Sequence, residues 1–123
     1  MSWTIRFHEL FEAEFDELGS EVQDELLTQL RWIQEFGPIL GRPRVDTLKG
    51  STHANMKELR FEAEGGVWRV AFAFDPKREA ILLVAADKSG GSEWRFYKRL
   101  IAKADERFDE HLAVLRRQQW QGV

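Results

Sequence analysis

The sequence predicts an α+β fold in which an N-terminal helical hairpin packs on a small antiparallel sheet that is followed by a C-terminal helix. Residues 57–88 contain three runs rich in Val, Ile, Phe and Trp, which are typical of strands. Gly65-Gly66 and Asp75-Pro76-Lys77-Arg78 separate these runs, and both are turn signals. Apolar residues at helical spacing come before and after this region. Helices on one face of an antiparallel meander give an α+β arrangement.

The size and composition indicate one ordinary globular domain over residues 1–123. Because the chain contains no cysteine, disulfides and thiolate metal sites are excluded. The start has no charged-then-apolar signal peptide, and no apolar run approaches the roughly 18 residues of a membrane span. We therefore expect a cytoplasmic protein without a membrane partner.

The charges are unevenly distributed along the chain. Residues 1–36 carry nine acidic and two basic side chains, whereas residues 37–103 carry eight acidic and thirteen basic ones. The formal net charge is -3, and the sequence pI is about 5.7. A basic middle is compatible with an anionic partner, but the overall balance argues against indiscriminate binding of nucleic acid.

The N-terminal elements are predicted from alternation and helical spacing. Residues 3–7 alternate apolar and polar side chains, which predicts a short strand at the sheet edge. Gly19 ends a short acidic helix, and Ser20 with Gln23 has the pattern of a capping box for a second helix. That helix should stop at Gly37-Pro38. Both helices have apolar stripes that are expected to cover the sheet: Phe11, Phe15, Leu18, Val22, Leu26, Leu30 and Ile33.

Residues 38–55 predict a long irregular connection, punctuated by glycine and proline. Its cationic and histidine side chains are candidates for contacting a ligand at the strand ends: Arg42, Arg44, Lys49 and His53. After the last strand, Ser92 is the expected cap of the C-terminal helix. The apolar stripe of that helix extends to about Arg117, and we expect a frayed tail from Gln118.

Loop lengths give a provisional register for the sheet. A two-residue loop at Gly65-Gly66 pairs Phe61 with Val70, and a four-residue loop over residues 76–79 pairs Val70 with Ala85. Side chains alternate between the faces, so the cations and the large apolar residues separate. One face then carries three cations with small residues between them: Arg60, Arg69, Lys88, Ala71, Ala73 and Ala86. Such a surface would be shallow and suited to a phosphate group.

The alternative interpretation of these cations is structural. Arg60 and Arg69 are then solvated surface residues that form ion pairs across the strands with Glu58 and Glu62, which lie on the same face. A one-residue bulge would also move Lys88 to the other face.

Several kinds of chemistry have no sequence support. The chain has no Gly-rich phosphate loop, no His-Glu-x-x-His helix and no nucleophile elbow. The histidines have no metal-ligand spacing, so we expect neither a metal nor a cofactor, and we expect His8 and His111 at the surface. The cation cluster remains, together with Tyr97 near the start of the last helix.

These residues can in principle cleave RNA without a metal. A 2′-hydroxyl attacks the adjacent phosphorus, arginines stabilise the added phosphorane charge, and other groups move the protons. Lys88, Tyr97 and His53 are candidates for the proton transfers. Trp94 and Tyr97 are candidate platforms for unpaired bases, whereas the alternative for Tyr97 is a packing role beside Phe96.

Four segments together resemble a known family, the phage-derived RelE/HigB-like toxins of type II toxin-antitoxin systems. They are Lys57-Glu58-Leu59-Arg60-Phe61, Trp68-Arg69-Val70-Ala71-Phe72, Leu82-Leu83-Val84-Ala85-Ala86-Asp87-Lys88 and Phe96-Tyr97. The resemblance implies a RelE/ParE-like fold. It also implies a toxin that cleaves mRNA in the ribosomal A site and is neutralised by a cognate antitoxin, which we expect to be a helix-turn-helix protein.

The site residues follow from this resemblance and from the cationic loop. The expected catalytic residues are Arg60, Arg69, Lys88 and Tyr97, and the expected RNA-binding residues are Lys49, His53, Lys57 and Lys98. RelE-type nucleases are usually basic, and this chain is not. The ParE branch shares the fold and poisons gyrase without RNA-cleaving residues. A gyrase-directed toxin, or an inactive relative that binds its antitoxin, therefore stays open as the alternative.

Overall fold

The computed structural model describes residues 2–121, which form a mixed sheet with helices on both faces. The strands lie in the order β1-β5-β4-β3-β2; β1 runs parallel to β5, and the other pairs are antiparallel. The elements are β1 (Thr4–Phe7), α1 (Glu9–Asp16), α2 (Ser20–Phe36), a 3-10 turn (Gly37–Ile39), β2 (Val45–Thr47), β3 (Lys57–Ala63), β4 (Gly66–Phe74), β5 (Glu79–Asp87) and α3 (Glu93–Gln121). The predicted α+β arrangement is confirmed. Within residues 2–121, no helix combines the length and apolar character needed to cross a membrane.

Helices α1 and α2 cover one face of the sheet, as their stripes predict. Phe11, Leu26 and Ile33 have no exposed surface, and they pack in one cluster with Leu59 and Val70 of the sheet. Burying each such side chain contributes about 1.5–3 kcal/mol to the free energy of folding. The apolar faces of the two helices and the sheet therefore form the first core.

The cap between α1 and α2 differs from the prediction. Gly19 is the N-cap of α2, and no side chain caps the first turn of the helix. Gln23 instead donates a hydrogen bond from Nε2 to the Phe15 carbonyl at 2.7 Å. The predicted capping box is therefore wrong, because Ser20 is already the first residue of the helix and not its N-cap.

Helix α3 covers the other face and forms a second core. Ala71 and Ala73 are fully buried beneath a stripe that includes Leu100, Ala104 and Phe108. The expectation of a shallow open surface over the sheet alanines is therefore wrong. Their small side chains instead let a helix approach the strands closely, and the candidate cations lie beside that contact.

The β3–β4 register is shifted by two residues from the predicted one. Arg60 lies directly opposite Arg69, because the turn residues are Glu64 and Gly65. Their φ values of +50° and +71° are both left-handed, as a type I′ turn requires. A two-residue shift keeps every side chain on its predicted face.

The β4–β5 register agrees with the prediction at the end of the strand pair that lies away from the connecting turn. Val70 pairs with Ala85, and the Lys88 N–H donates to the Val67 carbonyl at 2.6 Å. A bulge between Ala71 and Phe72 changes the pairing only toward the other end. Lys88 therefore keeps its place beside the arginines.

The ends of the irregular segments also differ from expectation. The connection over residues 38–55 includes β2, which pairs with β3 and widens the sheet. Helix α3 continues to Gln121 instead of fraying from Gln118. The last two residues of the predicted tail, 122–123, lie outside the described residues.

Neither His8 nor His111 is the surface residue that the sequence predicted. Burial lowers the pKa of His8, whose Nδ1 accepts the Leu10 N–H at 3.1 Å. His111 Nε2 lies 2.7 Å from Oδ2 of Asp75, a carboxylate whose side chain is fully buried. Both histidines hold helix ends or turns in place.

The contact between α3 and the sheet alanines gives a stability prediction. Ala104→Leu should lower the free energy of unfolding by about 1–3 kcal/mol, since it forces a larger side chain between the helix and the strands. Ala102→Leu is the matched control, because Ala102 lies on the exposed side of the same helix. Urea denaturation of both variants measures the difference. Equal stabilities would contradict the close packing.

Candidate functional site

A groove with a volume of about 830 Å³ lies between the N-terminal half of α3 and the β2–β3 edge of the sheet. We call it the α3–β3 groove. Five cationic side chains line it: Arg42, Lys49, Arg60, Lys88 and Lys98. Three acidic side chains also line it: Asp46, Glu58 and Glu93. The structure thus gathers on one surface cations that are far apart in the sequence.

A buried ion pair lies at the floor of the groove. Arg69 Nε is 3.2 Å from Glu58 Oε1, and the two side chains are only 7% and 9% exposed. Arg69 Nη1 also donates to the Trp68 carbonyl at 2.9 Å. The cross-strand pairing that the structural alternative anticipated is present for Arg69, but it is buried and not solvated. Arg69 is therefore held beneath the groove.

The Tyr97 hydroxyl joins this pair from α3. It donates to Glu58 Oε1 at 2.8 Å and accepts from Arg69 Nε at 3.3 Å. Burial, and then the hydrogen bond to Glu58, raise the pKa of Tyr97 above its ordinary value of 10.0. The phenol consequently stays protonated at neutral pH and acts as a hydrogen-bond donor.

Arg60 and Lys88 lie on the wall of the groove. Arg60 is partly exposed, and among residues 2–121 no carboxylate oxygen lies within 4.0 Å of its guanidinium. Lys88 Nζ is 3.0 Å from Glu93 Oε1 and 5.8 Å from the centre of the Tyr97 ring. The guanidinium of Arg60 is thus free for an anion, and Lys88 lines the same groove.

The outer end of the groove carries an exposed aromatic ring. Trp94 is 69% exposed, and Lys98 Nζ lies 4.9 Å from the centre of its ring. Lys49 is exposed on the opposite wall. The expected RNA-binding residues Lys49 and Lys98 therefore flank the same groove, together with the expected platform Trp94.

The structure places three of the other candidates elsewhere. His53 Nε2 is 2.8 Å from Asp109 Oδ1, and its ring packs against Phe108. Alternation along β3 puts Lys57 on the face of Leu59, which packs against α2. Arg44 lies over the Trp32 ring at 3.8 Å, on the side of α2. None of these three side chains lines the α3–β3 groove.

The acidic side chains of the groove had no role in the site predicted from the sequence. The sequence predicts Glu58 only as an ion-pair partner in the structural alternative, although its position on the cationic face follows from alternation. Arg42 and Asp46 form an exposed pair at 2.6 Å on β2 and its approach. Their place beside the groove depends on a strand that the sequence did not reveal.

Comparison with protein families identifies the chain. A family model described as phage-derived Gp49-like protein matches residues 13–109. The chain belongs to the Gp49-like family. This match confirms the resemblance inferred from the strand segments and from Phe96-Tyr97, all of which lie inside the matched region.

Two relatives of this Gp49-like protein come from Mycobacterium tuberculosis. One, named "Putative toxin HigB2", is 43% identical over 115 residues, which cover 92% of this chain and 56% of the relative. Another, named "Putative toxin HigB3", is 51% identical over 77 residues, which cover 63% of this chain and 65% of the relative. The chain thus spans less than two thirds of the length of either relative.

A solved structure of an Escherichia coli RelE toxin mutant in the free state has the same fold. The TM-score is 0.61, the identity is 16%, and the match covers 87% of this Gp49-like protein and 98% of the RelE chain. The RelE-like fold expected from the sequence is therefore confirmed.

Within residues 2–121, no group of three or more histidine or carboxylate side chains is placed to hold a metal ion. The groove presents fixed cations, a protonated phenol and a carboxylate that Arg69 neutralises. These groups suit a polyanion that has both phosphates and flat bases.

The state of Tyr97 gives a pH prediction. Because Tyr97 is the only tyrosine of the chain, its ultraviolet absorption reports one group, and we expect it to titrate above 10.0. The neutral phenol favours the folded state, so this contribution to stability is complete below the ordinary pKa and is lost as the pH rises through the folded one. Glu58→Gln should lower the pKa of Tyr97, because it removes a neighbouring negative charge.

The matched control is Glu62→Gln, which changes an exposed glutamate of the same strand. It should leave the titration of Tyr97 unchanged. A wild-type midpoint at or below the ordinary value would contradict the hydrogen-bonded, buried phenol.

Proposed function

We propose that this Gp49-like protein is the toxin of a type II toxin-antitoxin module and that it cleaves mRNA on the ribosome. The observation that carries the proposal is the α3–β3 groove, which Arg60, Lys88 and Tyr97 line together. The relatives named as toxins and the RelE-like fold support the same conclusion.

The cations would bind and stabilise the scissile phosphate. The guanidinium of Arg60 matches two phosphate oxygens, and no carboxylate oxygen of residues 2–121 lies within 4.0 Å of it. As the 2′-hydroxyl attacks phosphorus, negative charge grows on the non-bridging oxygens. Arg60 and Lys88, which both line the groove, stabilise this charge.

Tyr97 and Glu58 would move the two protons. Tyr97 holds its proton at neutral pH, so it donates that proton to the leaving 5′-oxygen. The carboxylate of Glu58, which lines the groove, accepts the proton of the attacking 2′-hydroxyl. Arg69 then stabilises the phenolate oxygen through Nε. In this mechanism Arg69 is a positioning residue that touches Glu58 and Tyr97 but not the RNA.

Trp94 would hold one base of the single-stranded message. Its exposed ring lines the same groove as Tyr97. Lys98 and Lys49 also line the groove and would bind the phosphates on either side of that base. Stacking on a flat aromatic ring tolerates different bases and contributes about 1–3 kcal/mol per base.

The proposed partners are the mRNA, the ribosome and a cognate antitoxin with a helix-turn-helix domain. Because the mRNA and the ribosome are in the cytoplasm, we expect the reaction to take place there. An antitoxin segment with acidic or apolar side chains would neutralise the protein by covering the α3–β3 groove, because it competes for the cations that attract RNA.

The second candidate function is a gyrase-directed toxin, or an inactive relative that only binds its antitoxin. The sequence pI near 5.7 favours it, and so does the pairing of Lys88 with Glu93 in the free protein. Neither of these functions needs Arg60 or Tyr97 as catalytic residues.

Mutation of the groove distinguishes these functions. We expect Arg60→Ala to lower cleavage by about 10²–10³-fold because it removes charge stabilisation, and Tyr97→Phe to lower it by about 10²–10⁴-fold because it removes the acid. Primer extension on translated and untranslated copies of one message measures cleavage in an expressing host. Arg31→Ala, which changes an exposed arginine of α2, is the control.

Three results are distinct. Cleavage that is confined to translated messages, is lost in both groove variants and persists in Arg31→Ala supports the proposed nuclease. Growth arrest without cleavage, unaffected by the groove variants, supports a different target. Absence of arrest from the wild type supports the inactive relative.

The proposed base platform gives a separate prediction. Trp94→Ala should weaken binding of a short single-stranded RNA by about 1–3 kcal/mol, measured by fluorescence anisotropy. Trp120→Ala removes a similarly exposed tryptophan from the far end of the same helix and should have no effect. Equal losses in both variants, or none, would rule out stacking at Trp94.

A further inference from the structure

A row of cations lies on the side of α3 that faces away from the α3–β3 groove. Arg95, Arg99 and Lys103 recur every four residues and are all exposed. They line a second groove, with a volume of about 490 Å³, between α3 and the end of β5. We call these three residues the α3 stripe.

The α3 stripe is unfavourable for an isolated helix. Like charges four residues apart repel each other, and Arg95 lies in the first turn, where the helix dipole disfavours cations. Among residues 2–121, no carboxylate oxygen lies within 4.0 Å of the charged groups of the stripe. Nothing in the described part of the chain therefore offsets this repulsion directly.

The neighbouring acidic groups already have partners. Asp87 also lines the second groove, but it accepts hydrogen bonds from the N–H groups of Val67 and Ser89, which help to lower its pKa. Glu14 lies near Lys103, and its carboxylate binds Arg107 at 2.6 Å. The direct contacts of both acids therefore go to groups outside the stripe, although the charge of Lys103 also helps to lower the pKa of Glu14 after the hydrogen bond from Arg107.

Three acidic side chains further along α3 show the opposite arrangement. Asp105 accepts hydrogen bonds from Ser51 and Thr52, and Asp109 and Glu110 pair with histidines from other elements. Charges that hold α3 to the rest of the protein are thus partnered. Among residues 2–121, the three cations of the α3 stripe have no such partner.

We propose that the α3 stripe binds the phosphate backbone of double-helical RNA. This inference rests on the proposed function and deepens it, since a nuclease that acts on the ribosome must be held against structured RNA while the α3–β3 groove holds the message. Two sides of the same helix then contact two different RNA segments.

The chemistry of the stripe favours RNA over a protein partner. Successive cations are about 6 Å apart along the helix, and the two arginines suit the oxygens of phosphate groups. The second groove presents Gly90 and Gly91 beside the stripe, and none of the exposed large apolar side chains lines it. Protein interfaces need an apolar or aromatic centre, whereas backbone contacts to RNA do not.

The test is the salt dependence of binding to a duplex RNA of about 16 base pairs. The full chain is compared with Arg95→Ala/Arg99→Ala/Lys103→Ala and with Lys77→Ala/Arg116→Ala/Arg117→Ala, which removes three exposed charges outside the stripe. Anisotropy between 50 and 200 mM salt gives the slope of log affinity against log salt. We expect the stripe variant to lose about two to three units of slope and the control variant to keep the wild-type slope.

Equal slopes in the wild type and the stripe variant would overturn the inference. Equal losses in both triple variants would also overturn it, because they would show a response to net charge alone. Retained duplex binding with loss of antitoxin binding would assign the stripe to a protein. The assay does not involve cleavage, so a protein that binds duplex RNA through the stripe but cuts no message would refute only the proposed nuclease.

Discussion

The buried ion pair between Glu58 and Arg69 is the interaction on which the α3–β3 groove depends. The β3–β4 register sets Arg60 directly opposite Arg69, and two facing arginines would repel each other. Glu58 neutralises the buried one and leaves the other free for an anion. Removing one partner of such a pair typically costs about 3–5 kcal/mol. Because Tyr97 completes the pair, the position of α3 is coupled to the same charges.

Helix α3 is both a core element and the wall of two grooves. Its apolar stripe needs the small side chains of Ala71 and Ala73 beneath it, so the helix lies across the middle of the sheet and not at its edge. One side then faces β2 and β3, and the other faces the end of β5. The same packing that stabilises the fold therefore separates the α3–β3 groove from the second groove.

The sequence allowed the core beneath the N-terminal helices and the two faces of the sheet to be predicted, because both follow from local periodicity, but it did not reveal the second core beneath α3. The exact turn was less important: a shift of two residues left Arg60, Arg69 and Lys88 on one face. What depends on tertiary packing could not be predicted. Burial of Ala71, the turning of His53 toward Asp109 and the closure of Glu58 onto Tyr97 all require knowing where α3 docks, which no spacing along the chain reveals.

The uneven charge of the chain has a consequence for how the molecule meets a large anion. The N-terminal 36 residues, with nine acidic and two basic side chains, supply the helices on one face of the sheet, and the cationic grooves lie on the other. The protein is therefore an electric dipole despite its negative total charge. The acidic face formed by α1 and α2 repels a polyanion, and the cationic grooves attract it. Encounters with a polyanion therefore begin in a preferred orientation. Salt weakens this alignment as well as the final contacts.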